Sequence, residues 1–250
     1  MISKNQIKYI HSLALKKNRD KEGCFVGEGP KVVADLLAVQ TPEILVATDK
    51  WYASTNIAPR QQDAVVTEEE LGKVSFLQHP QQVLGVFRKP HEEVSIDICN
   101  KDLCLALDKI QDPGNLGTII RIADWFGIST IFCSPDTADA FNPKVVQATM
   151  GSIARVKLVY RDLCAVLDEL PTETPVYATS LEGENIYSQE LSSYGMIIMG
   201  NEGNGVSPQV MSKVNRTLFI PCYRKSRGID SLNVAVATAV TCAEFRRRIY

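Results

Sequence analysis

The stretch from Leu103 to Gly127, LCLALDKIQDPGNLGTIIRIADWFG, decides the fold. Leu103 to Leu107 is an apolar run of strand length, Asp108 opens a polar segment, and Asp112-Pro113-Gly114-Asn115 has turn chemistry. Leu116, Ile119, Ile120, Ala123 and Phe126 then recur at helical spacing, Arg121 lies off that stripe, and Gly127 supplies a stop. Asn115, Gly117 and Arg121 therefore fall on a strand-to-helix turn and the two helical turns after it. Open parallel sheets gather ligands at such places, beyond the carboxyl ends of their strands. Taken alone, the pattern reads first as an ordinary βα connection with a solvated arginine, and it is two later stretches that tip the balance.

Working outward, strand-like runs recur at 103–107, 130–133, 156–159, 175–179, 195–199 and 217–220, and a last helix is expected from about 232 to 247. This alternation argues for an α/β domain with a parallel sheet covered on both faces. The N-terminal part reads as a smaller α/β unit. Ser3 and Gln6 form a capping box, and Ile7, Ile10, Leu13 and Ala14 predict a helix over 4–17. A strand at Cys24–Val26, a turn at Gly27–Pro30, a helix over Lys31–Val39, strands at 44–47 and 64–66, a helix start at Thr67–Glu70 and a closing strand at Val83–Phe87 follow. Lys89-Pro90-His91-Glu92-Glu93 breaks the pattern and is read as the linker. The expected division is 1–92 and 97–250.

A chain of 250 residues with 45% hydrophobic composition can bury two modest cores. No apolar run approaches the roughly 20 residues of a membrane span, and the polar, basic start lacks a secretory core. A cytoplasmic protein is expected. The seven cysteines include no Cys-x-x-Cys pair, so core thiols explain them better than zinc or disulfides. The three histidines all precede residue 100. Chemistry in the second part would proceed without a histidine base, and no metal is expected. The net charge of −2 excludes a uniformly basic nucleic-acid binder. Local clusters remain: Lys4, Lys8, Lys16, Lys17, Arg19 and Lys21 crowd the first helix and its exit, and Arg224, Lys225 and Arg227 punctuate a loop. The first cluster reads as a phosphate-binding face or as a solvated one. Arg246-Arg247-Arg248 most simply complements a helix C-terminus.

The second deciding stretch, Gly200-Asn201-Glu202-Gly203-Asn204-Gly205, directly follows the apolar strand Met196–Met199. Its glycines allow close approach of a ligand or positive φ, and Glu202 stands at a strand's end. The spacing is neither the dinucleotide fingerprint nor a P-loop. The third is Ile220-Pro221, a loop, and Ser231-Leu232-Asn233-Val234. Ser231 is a natural N-cap for the last helix, with Leu232, Val236 and Ala239 expected to pack inward. The Asn233 amide, at the start of a small apolar helix, suggests a specific hydrogen-bond partner, although pure capping is also compatible.

In this order the three motifs resemble those of the SpoU family of RNA 2′-O-ribose methyltransferases, in the SPOUT superfamily. The resemblance covers about residues 100–250, including Lys144 to Ile153, KVVQATMGSI. Through Phe25–Val33 and Gln81–Phe87, the first part is similar to the ribosomal-protein-like RNA-binding domain of rRNA-modifying members. The resemblance implies S-adenosylmethionine as methyl donor, a homodimer, and a C-terminal trefoil knot. It implies a cofactor pocket of Thr179, Gly200, Asn201, Gly203, Gly205, Ile220 and Leu232. Arg121 would serve the substrate ribose and phosphate, with Asn115, Glu202, Ser231 and Asn233 around it. Whether Arg121 acts as base or as an orienting and electrostatic group stays open, since a guanidinium normally remains protonated. The loop from Pro221 to Ser231 is longer than is usual in the family. Ribosomal RNA is the expected substrate, ahead of tRNA. A nucleotide-dependent oxidoreductase lacks its glycine fingerprint here, and a non-catalytic RNA-binding protein would not need the full polar set.

Overall fold

The computed structural model describes residues 2–90, 94–224 and 231–247. It divides into two compact units, Met1–His91 with Asp139–Ala154, and Glu92–Ala138 with Arg155–Tyr250.

The first unit begins with α1 (Lys4–Ser12), closed by the Ser3/Gln6 capping box, and α2 (Lys16–Glu22). β1 (Cys24–Glu28), α3 (Pro30–Leu37), β2 (Ile44–Thr48), α4 (Asp49–Ser54), β3 (Ala64–Val66), α5 (Glu68–Gly72) and β4 (Val83–Arg88) follow. The sheet runs β1-β4-β2-β3, with β4 antiparallel to both neighbours and β2 parallel to β3. Ile10, Leu13, Val26, Val46, Leu71 and Leu84 belong to its core. The single helix expected over 4–17 is instead two. Arg19 turns back from α2 and donates to the carbonyls of Leu13 and Ala14, both at 2.7 Å, so the carbonyls at the exit of α1 are satisfied without another helical turn.

In the second unit the elements are β5 (Leu103–Leu107), α6 (Pro113–Trp125), β6 (Thr130–Cys133), then, past α7 (Pro143–Ala148), β7 (Lys157–Tyr160), α8 (Leu163–Asp168), β8 (Val176–Asn185), β9 (Gly195–Met199), α9 (Pro208–Met211), β10 (Arg216–Phe219) and α10 (Val234–Arg247). The sheet is parallel throughout, in the order β10-β8-β9-β5-β6-β7. The chain winds from β5 toward β7, then returns to the other side of β5, so the winding reverses between β5 and β9. Both strands are buried along their full length, as continuous apolar runs in a covered parallel sheet should be.

The segment Asp139–Ala154 lies between β6 and β7 in the chain yet folds with the first unit. Phe141 packs on Phe25 with ring centroids 4.9 Å apart, and Asp139 pairs with Arg19 at 2.6 Å. Gly151, at φ +96°, presses on Asp35 so closely that a Cβ would lie 2.1 Å from the carboxylate.

α6 and α10 pack together and are pinned at their C-terminal ends, where Arg246 donates to the carbonyls of Phe126 and Gly127. α10 starts two residues later than expected. Its buried face is Val234, Ala235, Thr238, Thr241, Cys242, Glu244 and Phe245, whereas Leu232 and Val236 are exposed, which corrects the inward stripe expected through Leu232, Val236 and Ala239. Val, Ala and Thr occupy nearly every position there, so periodicity had no polar face by which to set the phase. Cys24, Cys99, Cys104, Cys133 and Cys242 are buried thiols, and burial pushes Cys242 up to about 12, leaving it a neutral packing group.

One glycine is required by a close approach. Between the pairs Thr217 with Ala178 and Leu218 with Glu184, the β10–β8 ladder skips residues 179–183. The returning chain lies so near β10 that a Cβ on Gly183 would sit 2.7 Å from the Leu218 carbonyl carbon. Gly183→Ala should therefore destabilise the protein by about 1–3 kcal/mol, lowering the melting midpoint by roughly 2–10 °C. Gly72→Ala, where a Cβ meets nothing within 4 Å, should leave it unchanged. Equal midpoints for the two variants in thermal denaturation would contradict the close crossing.

Candidate active site

The carboxyl ends of β5 and β9 lie side by side, in register to Leu107 and Met199. Asp108 continues the ladder with its N–H 2.9 Å from the Met199 carbonyl, and its buried carboxylate accepts the Ser207 N–H at 2.7 Å. The chain leaving β9 is thereby folded back. Asn201 closes the loop: its backbone exchanges hydrogen bonds with Gly205 at 2.9 and 2.8 Å, and its side-chain oxygen accepts from Gly203 and Asn204 at 2.9 and 3.2 Å. Its amide nitrogen donates to the Lys109 carbonyl at 2.9 Å. Gly200 permits this closure, since a Cβ there would be 2.2 Å from the Gly205 carbonyl carbon. Glu202 is left exposed at the tip.

α6 is started by Asp112, whose carboxylate accepts the Asn115 N–H at 2.7 Å, with Pro113 at the first helical position. This fixes Asn115 on the first turn. Its side-chain nitrogen donates to Glu202 Oε1 at 2.6 Å, and its oxygen accepts from Asn233 Nδ2 at 2.9 Å. Asn233 in turn uses its oxygen to cap α10, accepting from Ala235 at 3.0 Å and Val236 at 3.3 Å. Asn233, not the expected Ser231, is the residue that accepts these first N–H groups. One amide at α6 thus joins two residues that follow it in the chain by 87 and 118 positions. Each such hydrogen bond stabilises by about 0.5–1.5 kcal/mol, more where a carboxylate is the acceptor.

The structure brings Asn115, Glu202 and Asn233 together. Ser231 and Leu232 are exposed immediately before them. Arg121 is exposed on α6 and has no hydrogen-bond or ionic partner among the described residues. Thr179, Gly200 and Ile220 stand at or just past the paired portions of β8, β9 and β10, which are neighbours in the sheet. Thr179 donates to the Ile198 carbonyl at 3.4 Å. Positive φ occurs at Gly205 (+66°) and not at Gly203, whose would-be Cβ meets only Asn201 Oδ1 at 3.5 Å. The outer face of the loop is therefore open at both glycines.

Among the expected phosphate contacts, Lys4, Lys8, Lys16, Lys17 and Lys21 are exposed, with Lys16 paired to Asp20 and Lys21 to Glu22. Arg19 is a correction. It is 1% exposed and its guanidinium is spent on Asp139 and two carbonyls, so it holds the fold and cannot meet a phosphate. Arg224 is exposed, whereas Lys225, Arg227 and Arg248 lie outside the described residues. Sequence reading missed Asp108 as the anchor of the loop and Lys109, which adopts a left-handed φ of +59°. A carboxylate directly after a fully buried strand was the available signal for the first. No group of three or more His, Cys, Asp or Glu side chains able to hold a metal occurs among the described residues. No helix of the described residues is long and apolar enough to cross a membrane.

Comparisons with known proteins agree with this geometry. The profile of the SpoU rRNA Methylase family matches residues 102–243, and that of the MRM3-like substrate binding domain matches residues 4–85. The 23S rRNA (guanosine(2553)-2′-O)-methyltransferase RlmP of Bacillus subtilis is 33% identical over 98% of this chain and 97% of its own length. A TrmH-family protein from Porphyromonas gingivalis superposes with a TM-score of 0.90 at 37% identity, covering 99% of each chain. The S-adenosylmethionine-bound rRNA methyltransferase of Sinorhizobium meliloti superposes at 0.84 with 29% identity, over 100% of this chain and 97% of that one. With a matched profile spanning most of the second unit and a relative alike over nearly its full length, the chain belongs to the SpoU rRNA methylase family.

Proposed function

We propose that this protein transfers a methyl group from S-adenosylmethionine to a ribose 2′-hydroxyl of ribosomal RNA. The observation that carries the reading is the hydrogen-bonded junction of Glu202, Asn115 and Asn233 at the carboxyl edge of a parallel sheet, in a chain alike from end to end to an rRNA 2′-O-methyltransferase. That relative's name specifies guanosine, and guanosine is taken as the target nucleoside here too.

The residues present fit the cofactor. The neighbouring strand ends at Thr179, Gly200 and Ile220, with Leu232 and the open face of Gly203, offer the cofactor a floor of backbone and walls of small or apolar groups. Asn201 contributes by shaping the loop, its side chain being engaged within it. When bound, S-adenosylmethionine supplies an electrophilic methyl group. The protein's task is then placement of the ribose oxygen. Arg121, a fixed cation with a planar fork, orients the adjoining phosphate and stabilises negative charge developing on that oxygen. Asn115 holds Glu202 in one orientation, and Ser231 and Asn233 close the site beside it.

Residues 1–92 serve as the RNA-binding domain and 97–250 as the methyltransferase domain, working in the cytoplasm. Lys4, Lys8, Lys16, Lys17, Lys21 and Arg224 supply phosphate contacts. The working form is a homodimer: Trp125 on α6 and Leu232 and Val236 at α10 are 85%, 47% and 50% exposed, apolar surface that a second copy would cover. Arg121 lies one helical turn from Trp125 and so falls at that seam. The trefoil knot belongs to the same reading, supported by the close packing of Gly183 on β10.

Methyl transfer from labelled S-adenosylmethionine to 23S rRNA transcripts, followed by mapping of the ribose-methylated nucleotide, tests the reading directly. Arg121→Ala should lower turnover by about 100-fold or more with cofactor affinity unchanged, and Arg121→Lys should rescue poorly. Near-normal turnover of the Ala variant at saturating RNA would remove Arg121 from the site. Gly203→Val should fold normally, because only Asn201 Oδ1 lies near its side chain, yet bind S-adenosylmethionine at least about tenfold more weakly, a loss of roughly 1.4 kcal/mol. Unchanged affinity in calorimetry would contradict this placement of the cofactor.

A further inference from the structure

Beside the junction lies a cavity of about 270 Å³ lined by Lys109, Gln111, Gln209, Pro208 and, from the loop, Asn204 and Gly205. We infer that this cavity receives the base of the target nucleotide and that Lys109 reads it as guanine. The inference rests on the methyltransferase reading above, and goes beyond it by assigning the residues that choose the nucleotide.

The chemistry of the walls favours a base over a phosphate. The lining residues comprise one lysine and four primary amides, those of Gln111, Gln209, Asn201 and Asn204, with Asn201 already engaged within its own loop. Asp108, Asp112 and Glu202 each adjoin a lining residue in the chain, so the surroundings carry more negative than positive charge. A dianionic or monoanionic phosphate would be repelled there, whereas a neutral heterocycle with both donors and acceptors on its edges is matched by amides. Guanine offers O6 and N7 as acceptors, the atoms to which lysine donates in base recognition. Pro208 gives the ring an apolar surface. The cavity is large enough for a purine, and RNA-binding proteins commonly recognise bases splayed out of single-stranded segments in this way.

Two features tie the cavity to the reacting ribose. The loop carrying Glu202 forms one wall through Asn201, Asn204 and Gly205, and Gln111 immediately precedes the Asp112 cap of the helix that bears Asn115. A ribose placed at the Glu202–Asn115 junction therefore has its base within reach of the cavity. Lys109 is also held in place by the protein. Its left-handed φ of +59° is uncommon for a non-glycine residue, and it is clamped on both sides: its N–H donates to Ser134 Oγ at 2.9 Å and its carbonyl accepts from Asn201 Nδ2 at 2.9 Å. Glycine would adopt this conformation more readily. A long cation at such a position is explained by a use for its side chain, and the cavity supplies one.

The test uses the full chain and 23S rRNA transcripts bearing guanosine, inosine or adenosine at the nucleotide that the wild-type protein methylates. Inosine keeps O6 and N7, and adenosine replaces the O6 acceptor with a donor. The wild type should methylate guanosine and inosine at similar rates, and adenosine at least about tenfold more slowly. Lys109→Gly and Lys109→Met should bring the guanosine-to-adenosine ratio of kcat/KM to within about threefold, mainly by lowering the guanosine rate, with S-adenosylmethionine affinity within twofold of wild type. Lys109→Gly relieves the backbone conformation, so its melting midpoint should not fall, and it stays informative if the Met variant folds poorly. A ratio unchanged in a folded Lys109→Gly overturns this inference and leaves the methyltransferase reading standing, and a methylated nucleotide other than guanosine in the wild type overturns this inference together with the guanosine assignment while leaving ribose methyl transfer standing. Absence of methyl transfer to rRNA by the wild type overturns both.

Discussion

A single side-chain amide, that of Asn115, holds the second unit's three separated motifs at one point. Its nitrogen is spent on Glu202 and its oxygen on Asn233, so neither neighbour can shift without leaving half of a hydrogen-bonded amide unsatisfied. The arrangement depends on two larger features. Reversal of the winding between β5 and β9 brings the loop with Glu202 beside the start of α6, and the packing of α10 along α6 brings in Asn233. Arg246, binding the carbonyls at the far end of α6, keeps the two helices aligned. Sheet topology supplies proximity, and the amide supplies register.

The first unit treats charge differently. Its buried guanidinium, Arg19, is committed to Asp139 and to two helix-terminal carbonyls, a site where charge is tolerated only because every neighbour answers it. Five of its exposed cations, Lys4, Lys8, Lys16, Lys17 and Lys21, crowd the two leading helices, against a chain whose net charge is −2. RNA affinity in such a protein has to come from a local face and should weaken steeply with added salt.

The strands and the principal site were legible in the sequence because their patterns are local. Leu103–Leu107 and Gly195–Met199 are continuous apolar runs with polar ends, and Asn115, Glu202 and Asn233 stand at those ends or at helix starts. What escaped depended on partners distant in the chain. The break between α1 and α2 follows from Arg19 reaching back to carbonyls, which composition presents simply as one more surface cation. The phase of α10 was hidden by side chains that are small and apolar on every face. The docking of Asp139–Ala154 into the first unit rests on Phe141 meeting Phe25 and on Gly151 meeting Asp35, contacts with no periodic signature. α4 escaped because Trp51 and Tyr52 are indifferent helix formers, and Thr48, at the end of a strand, caps it.

The central claim, that Asn115 and Glu202 act as one unit, is tested most directly by a double-mutant cycle on methyl transfer, with Asn115→Ala, Glu202→Ala and the pair combined. If the hydrogen bond between them is the means by which Asn115 acts on Glu202, the double variant should turn over RNA no more slowly than the worse single variant, giving a coupling energy of about 0.5–3 kcal/mol. Turnover losses that simply multiply, in variants that fold and bind S-adenosylmethionine as the wild type does, would mean that the two residues act independently and that the junction does not organise the site.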